Sequence, residues 1–268
     1  RPMTHISDFR RHLASKSFSG STFDSPLKED PLSILCINKK REGLPEEKIH
    51  LQGQLRENII REIQDKDLIP FGMLTIRPDK HLQHHQCQDL SFAIDKALEN
   101  RYNPRYKHHW GSPHLIFYER DKSSGYETFH IHILFSMLPI DRVINKKTLT
   151  YPVKDAVKEV TGGQERLSPR QLHDPKFHAE LIEYAIRNPW EWMNHMTHYS
   201  GYKHFPKGKS GLHWLYANDE GHFDGFYGWK GLVAYVTKQI TDDQKMDKLI
   251  DRRSMSKLRG LPKINSHI

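Results

Sequence analysis

Five side chains in this 268-residue chain have the types and spacing to do chemistry: Glu119, His130, His132, Tyr235 and Lys238. The stretch ETFHIHILF, residues 127–135, sets two histidines one residue apart in an apolar run. On a strand, residues i and i+2 point to the same face, so two imidazoles would stand side by side. Three uses compete for such a pair. The rings can pack with satisfied hydrogen bonds, bind a divalent metal through neutral nitrogens, or act as acid and base without metal. A metal needs a third ligand, and an acidic oxygen suits Mg²⁺ or Mn²⁺. Glu119 is the only carboxylate in HLIFYER, the apolar run preceding the histidine run. Glu127 has the wrong parity to share a face with His130. His114, at the start of the earlier run, is a further option, and strand register decides among them.

Tyr235 and Lys238, in AYVTKQ, are three residues apart and therefore neighbours on a helix surface. A tyrosine is a weak nucleophile at its free pKa of ~10. An ammonium nearby favours the phenolate, and a metal on a phosphate makes its phosphorus more electrophilic. Tyr184, with Arg187 three residues on, is a rival nucleophile, although Pro189 closely follows its helix.

The elements that must hold these residues can be read from period and punctuation. PEEKIHLQGQLRENIIREIQ (45–64) is expected to be a helix, with Leu51, Leu55, Ile59 and Ile63 repeating every four residues. FGMLTIRP (71–78) reads as a buried strand closed by Pro78, KHLQHHQC (80–87) as a loop, and QDLSFAIDKALEN (88–100) as a helix. PHLIFYERDKSSGYETFHIHILF (113–135) is two strands around a turn at Asp121–Gly125, a β-hairpin. TYPVKDAVKEV and FHAELIEYAIRN have helical patterns. WKGLVAYVTKQI (229–240) is expected to be helical throughout, with Trp229, Leu232, Val233, Val236 and Ile240 on one arc of about 100°. The aromatic, histidine-rich run 189–216 carries no assignable period.

The pattern gives an α+β fold on a central antiparallel sheet flanked by helices. Its expected organisation is a flexible tail over 1–30, a domain over 31–245 with a helical and loop insertion at about 140–220, and a basic C-terminal tail over 246–268. Six of the eleven residues from Ser15 to Ser25 are Ser or Thr. From Lys245 onward there are seven Lys or Arg against two Asp. The whole chain carries +8 with pI ≈ 9.3, a balance that suits an anionic partner such as nucleic acid. No run approaches the ~20 apolar residues of a membrane span, and mean hydropathy is −0.76. Two cysteines, Cys36 and Cys87, make no disulfide framework, which points to an intracellular protein.

A strand FGMLTIRP, then a strand with His-Ile-His, then a helix with Tyr-Val-Thr-Lys together resemble the HUH endonuclease superfamily. HIH matches its histidine–hydrophobic–histidine motif, YVTK looks like the nucleophile motif of its single-tyrosine rolling-circle replication initiators, and GMLTI is similar to its first motif strand. The resemblance covers residues 70–240. It implies an RNA-recognition-type sheet carrying the His pair, with the tyrosine helix packed beside it. His130 and His132 would hold Mg²⁺ or Mn²⁺, with Glu119 as third ligand. Tyr235 would attack a phosphodiester of single-stranded DNA, and Lys238 would position the phosphate or steady the phenolate. The implied role is to start rolling-circle replication of a plasmid, phage or mobile element, on an origin hairpin and with a borrowed host helicase, in the cytoplasm of a bacterial or archaeal host. Transposase, relaxase or anti-competitor nickase would use the same chemistry. A DNA-binding regulator would use the fold without cutting. The long gap between His132 and Tyr235 departs from compact initiators and requires the insertion.

Three other signals carry less. GKS at 208–210 has the wrong spacing for a phosphate-binding loop. His81, His84, His85 with Cys87, and His195, His198 with His204, match no strong zinc pattern. The aromatic, basic run from Trp190 to Trp214 suits base stacking or the core of the insertion equally.

Overall fold

A computed structural model describes residues 46–78, 81–102, 113–121, 127–137, 154–164, 168, 171, 174–187, 203–206, 211–217, 223, 226, 228–241 and 243–261. The tail expected over 1–30, the turn after Asp121, the GKS loop, His195 and His198 lie outside the described residues. So does most of the run from Trp190 to Trp214.

Four strands make one antiparallel sheet: β1 Ile69–Ile76, β2 His114–Asp121, β3 Thr128–Met137 and β4 Leu212–Tyr216, in the order β2-β3-β1-β4. The hairpin expected from the sequence is β2 and β3. β3 is inner, and all ten of its residues are buried. Every position therefore faces either helices or a covered site, which explains why its apolar residues run on in ILF instead of alternating strictly with polar ones. β4 falls inside the stretch expected as an insertion, and it completes the sheet by pairing with β1 from Gly72–Tyr216 to Ile76–Leu212.

Seven helices surround the sheet among the described residues: α1 Glu46–Gln64, α2 His84–Tyr102, α3 Lys154–Thr161, α4 Pro175–Arg187, α5 Gly228–Val236, α6 Asp243–Leu249 and α7 Arg252–Gly260. Parity divides them between the faces. Odd positions of β3, such as Ile131, Ile133 and Phe135, face α2 and α4. His114 lies opposite Phe135 and meets Asp95 of α2 at 3.3 Å, and Trp214 of β4 donates to Glu183 of α4 at 3.2 Å. Even positions, His130 and His132, face α5, which α1 backs. Burying Ile131, Ile133 and Phe135 completely contributes about 1.5–3 kcal/mol each. That drive fixes the register, because a one-residue slip would turn the histidines into the apolar layer.

Three expectations are corrected. α2 begins at His84, so HHQC is helical, not loop: His84 Nε2 bonds the Lys248 carbonyl at 2.5 Å, and Cys87 Sγ donates to the Phe129 carbonyl at 3.6 Å. α5 stops at Val236, four residues early. The Thr237 hydroxyl donates back to the Val233 carbonyl at 2.7 Å, and Lys238 N–H turns to the Tyr235 carbonyl at 3.1 Å. Finally, the chain beyond 246 is folded as far as Leu261. Asp251 caps α7 by accepting from Ser254 N–H at 2.9 Å, and Leu249, Ile250, Met255 and Leu258 are buried. This segment closes the outer edge of β2: Asp251 N–H bonds the Ile116 carbonyl at 2.9 Å, and Ile116 N–H bonds Ser254 Oγ at 3.1 Å.

Candidate metal centre and its tyrosine

The hairpin register places Glu119 directly opposite His130, and Phe117 opposite His132. Glu119, His130 and His132 thus share the face that α5 covers. His132 Nε2 lies 2.8 Å from Glu119 Oε2, His130 Nε2 3.6 Å from the same oxygen, and the two Nε2 atoms are 3.1 Å apart. Donors at ~2.1 Å from one divalent ion stand roughly 3–4 Å from each other, so two imidazoles and a carboxylate at these separations fit such an ion. Among the described residues this is the one cluster of its kind.

The far side of each imidazole is also held. Asp121 Oδ1 is 2.9 Å from His130 Nδ1, and Thr75 Oγ1 is 2.9 Å from His132 Nδ1. A carboxylate only accepts, so Asp121 draws the His130 proton to Nδ1 and leaves the Nε2 lone pair facing the cluster. The Thr75 hydroxyl both donates and accepts and serves either tautomer of His132. Sequence reading missed both residues. The turn residues of DKSSG draw Asp121 into the turn, whereas the structure keeps it on β2 at the same parity as Glu119. Thr75 is the one hydroxyl in IPFGMLTI, and only the pairing of Thr75 with His132 across β1 and β3 reveals its use.

The electrostatics follow from burial. Burial alone would raise the Glu119 carboxyl, but hydrogen bonds from His130, His132 and Lys238, with the Lys238 charge, hold it well below the usual carboxylate range. Burial lowers His132 from its ordinary value, His130 and Lys238 add to that, and Glu119 opposes it. A carboxylate kept charged beside an imidazole kept neutral is the protonation pattern that a cation requires.

Tyr235 and Lys238 reach this cluster from α5 and the turn after it. The Tyr235 ring meets the His132 ring edge-on, with centroids 5.6 Å apart, and meets Phe226 in the same way at 5.3 Å. Lys238 Nζ stands 2.6 Å from Glu119 Oε1 and 3.4 Å from the centroid of the Tyr235 ring. All five residues singled out from the sequence therefore meet at one place.

The alternatives are separated from it. His114 lies on the opposite face of the sheet, against Asp95, and is no ligand here. Glu127 is exposed and bonds Lys248 at 2.8 Å. Tyr184 belongs to α4, on the sheet face away from the His pair, and Arg187 bonds Glu183 at 2.8 Å. No helix among the described residues is long and apolar enough to cross a membrane. The chain matches no protein-family model, no curated protein and no solved structure.

Proposed function

We propose that this chain is a metal-dependent endonuclease that nicks and rejoins single-stranded DNA through Tyr235. The reading takes the sheet as the RNA-recognition-type sheet of the HUH superfamily. One observation carries it: Lys238 touches both Glu119 of the metal cluster and the ring of Tyr235, so nucleophile and cluster share one side chain.

Glu119, His130 and His132 would hold the cation, Mg²⁺ or Mn²⁺. When bound, it supplies positive charge to polarise a phosphate. The remaining work belongs to the chain. Asp121 and Thr75 orient the two imidazoles. His132 and Phe226 brace the tyrosine ring. The phenol would give up its proton to water, Lys238 would balance the resulting phenolate, and the phenolate oxygen would then bond to phosphorus. The bond from phosphorus to the 3′ oxygen would break, and that oxygen would take a proton from water. One strand then ends in a free 3′-OH, and the other is held as a 5′-phosphotyrosine. The ester retains the bond energy, so the reverse attack rejoins ends without ATP. The biological setting that suits this chemistry is initiation of rolling-circle replication of a plasmid, phage or mobile element.

The test is a denaturing gel of the protein with a labelled pool of single-stranded DNA and Mn²⁺. A denaturation-resistant adduct that chelator prevents supports the reading. Sequence-selective binding without any adduct contradicts it and leaves a DNA-binding protein that does not cut.

A further inference from the structure

Two polar residues sit on the buried stripe of α1, where its spacing calls for apolar ones. Gln52 and Arg56 share that stripe with Leu55, Ile59 and Ile63. Both bond the segment that carries Tyr235 and Lys238. Arg56 Nε donates to Thr237 Oγ1 at 2.9 Å, and its Nη2 to the Ala234 carbonyl at 3.3 Å. Gln52 Nε2 donates to the Lys238 carbonyl at 3.0 Å, and Gln52 Oε1 accepts from Arg56 Nη2 at 3.3 Å. The last carbonyls of a helix have no partner within it and gather negative potential, so a guanidinium there is favourable on both counts.

The same turn is gripped from the other side. Gln239 accepts from Arg120 N–H at 2.9 Å and donates to the Arg120 carbonyl at 3.0 Å. It mimics a strand partner for one residue of β2, the residue next to Glu119. The end of α5 that carries Tyr235 and the turn that carries Lys238 are thus fixed to α1 on one side and to β2, the strand of Glu119, on the other. A helix that ends early needs such fixing: after Val236 the helical ladder continues only through Thr237 N–H, to the Val233 carbonyl at 3.1 Å, and Lys238 N–H already turns to the Tyr235 carbonyl at 3.1 Å.

We propose that Gln239, with Gln52 and Arg56 opposite it, is a positioning residue that registers the Tyr235–Lys238 turn against Glu119. This rests on reading Tyr235 as the nucleophile. It explains the polar pair buried on α1 and assigns the reaction three residues outside the Glu119–His130–His132 cluster. A displacement of about 1 Å at a reacting group costs on the order of 10²-fold in rate. Gln239 is half-buried and belongs to no apolar cluster, so replacing it should leave the fold intact.

The experiment compares wild type, Gln239→Met and Arg56→Lys by three readouts: single-turnover adduct formation at saturating DNA and Mn²⁺, Mn²⁺ affinity by calorimetry, and amide hydrogen exchange over 233–240. The expected result for Gln239→Met is an adduct rate lower by roughly 10- to 100-fold, faster exchange at 237–240, and Mn²⁺ affinity unchanged to within about threefold. Arg56→Lys should retain part of the rate, because a lysine keeps the charge at the helix end but not the fork. An adduct rate and an exchange pattern both matching wild type would overturn the proposal. So would a parallel loss of Mn²⁺ affinity, since the residue would then act by shaping the strand of Glu119. If wild type itself forms no adduct, the nuclease reading fails, and exchange alone decides the clamp: faster exchange in Gln239→Met upholds it, and unchanged exchange removes it.

Discussion

Lys238 Nζ lies 2.6 Å from Glu119 Oε1, although the two residues are more than a hundred positions apart and come from different layers. The contact joins a carboxylate of the candidate metal cluster to the turn that follows α5. Removing the ammonium should therefore affect chemistry more than metal retention. Lys238→Met is expected to slow single-turnover adduct formation by about 10²–10³-fold, the range for losing one preorganised charge-stabilising group. Calorimetry with Mn²⁺ checks that binding survives. A variant reacting at the wild-type rate would remove Lys238 from the mechanism.

The cluster should report a cation through stability. Mn²⁺ at about 100 times its Kd adds ~2.7 kcal/mol to a protein that binds it only when folded. That corresponds to roughly 5–10 °C in Tm for a chain of this size. Scanning calorimetry should show the shift, chelator should reverse it, and Glu119→Gln or His132→Ala should abolish it. No shift at millimolar Mn²⁺ would deny the site.

Acid should remove that gain in a defined direction. His132 is held below its ordinary value of 6.5 in the folded protein. Below 6.5 the unfolded chain binds more protons at this position than the folded one, so folding stability falls as pH drops through that value. Cation binding survives somewhat below 6.5, because the imidazole stays neutral there, and is lost as pH falls toward the folded value. Titrating Mn²⁺ from pH 8 to 5 tests this. Affinity rising toward acid would contradict it.

The groups behind the ligands should matter for affinity. Asp121→Asn removes the acceptor that fixes the His130 tautomer. Losses of about 10- to 100-fold in metal affinity are usual for such partners. Thr75→Val should do the same through His132. Mn²⁺ titrations of both variants decide the matter, and wild-type affinity in Asp121→Asn would show that its 2.9 Å contact orients nothing.

A second acid transition belongs to the other face. Burial would raise the Asp95 carboxyl, but His114 and Lys257 outweigh it and hold it well below the usual range. Its contribution is present above the unfolded carboxylate value of ~3.9 and is lost as pH falls below it. Urea unfolding of Asp95→Asn should be weaker than wild type at pH 6, with the difference shrinking toward pH 2.5. A constant difference would exclude titration of Asp95 as its source.

The hairpin and the histidine face were legible because both rest on parity, which local sequence carries. Glu119 was legible only up to register, and Phe117 opposite His132 is the pairing that settled it. β4 was not legible. LHWLY is five residues long, and what makes it a strand is β1 beside it. The basic count after Lys245 concealed Met255 and Leu258, spaced three apart on the buried side of α7. Gln52 and Arg56 were hidden for the opposite reason: they are polar residues on an apolar stripe, and their partners arrive from residues 234–238. Local pattern reports which face is buried, but not which polar residues long-range contacts will bury with it.

The most direct measurement is to digest the denatured adduct formed with Mn²⁺ and single-stranded DNA and to map the nucleotide-bearing peptide by mass spectrometry. The expected result is a 5′-phosphonucleotide on Tyr235, with no adduct from Tyr235→Phe and an undiminished one from Tyr184→Phe. A nucleotide on Tyr184 or any other residue, or an adduct persisting in Tyr235→Phe, would contradict the account.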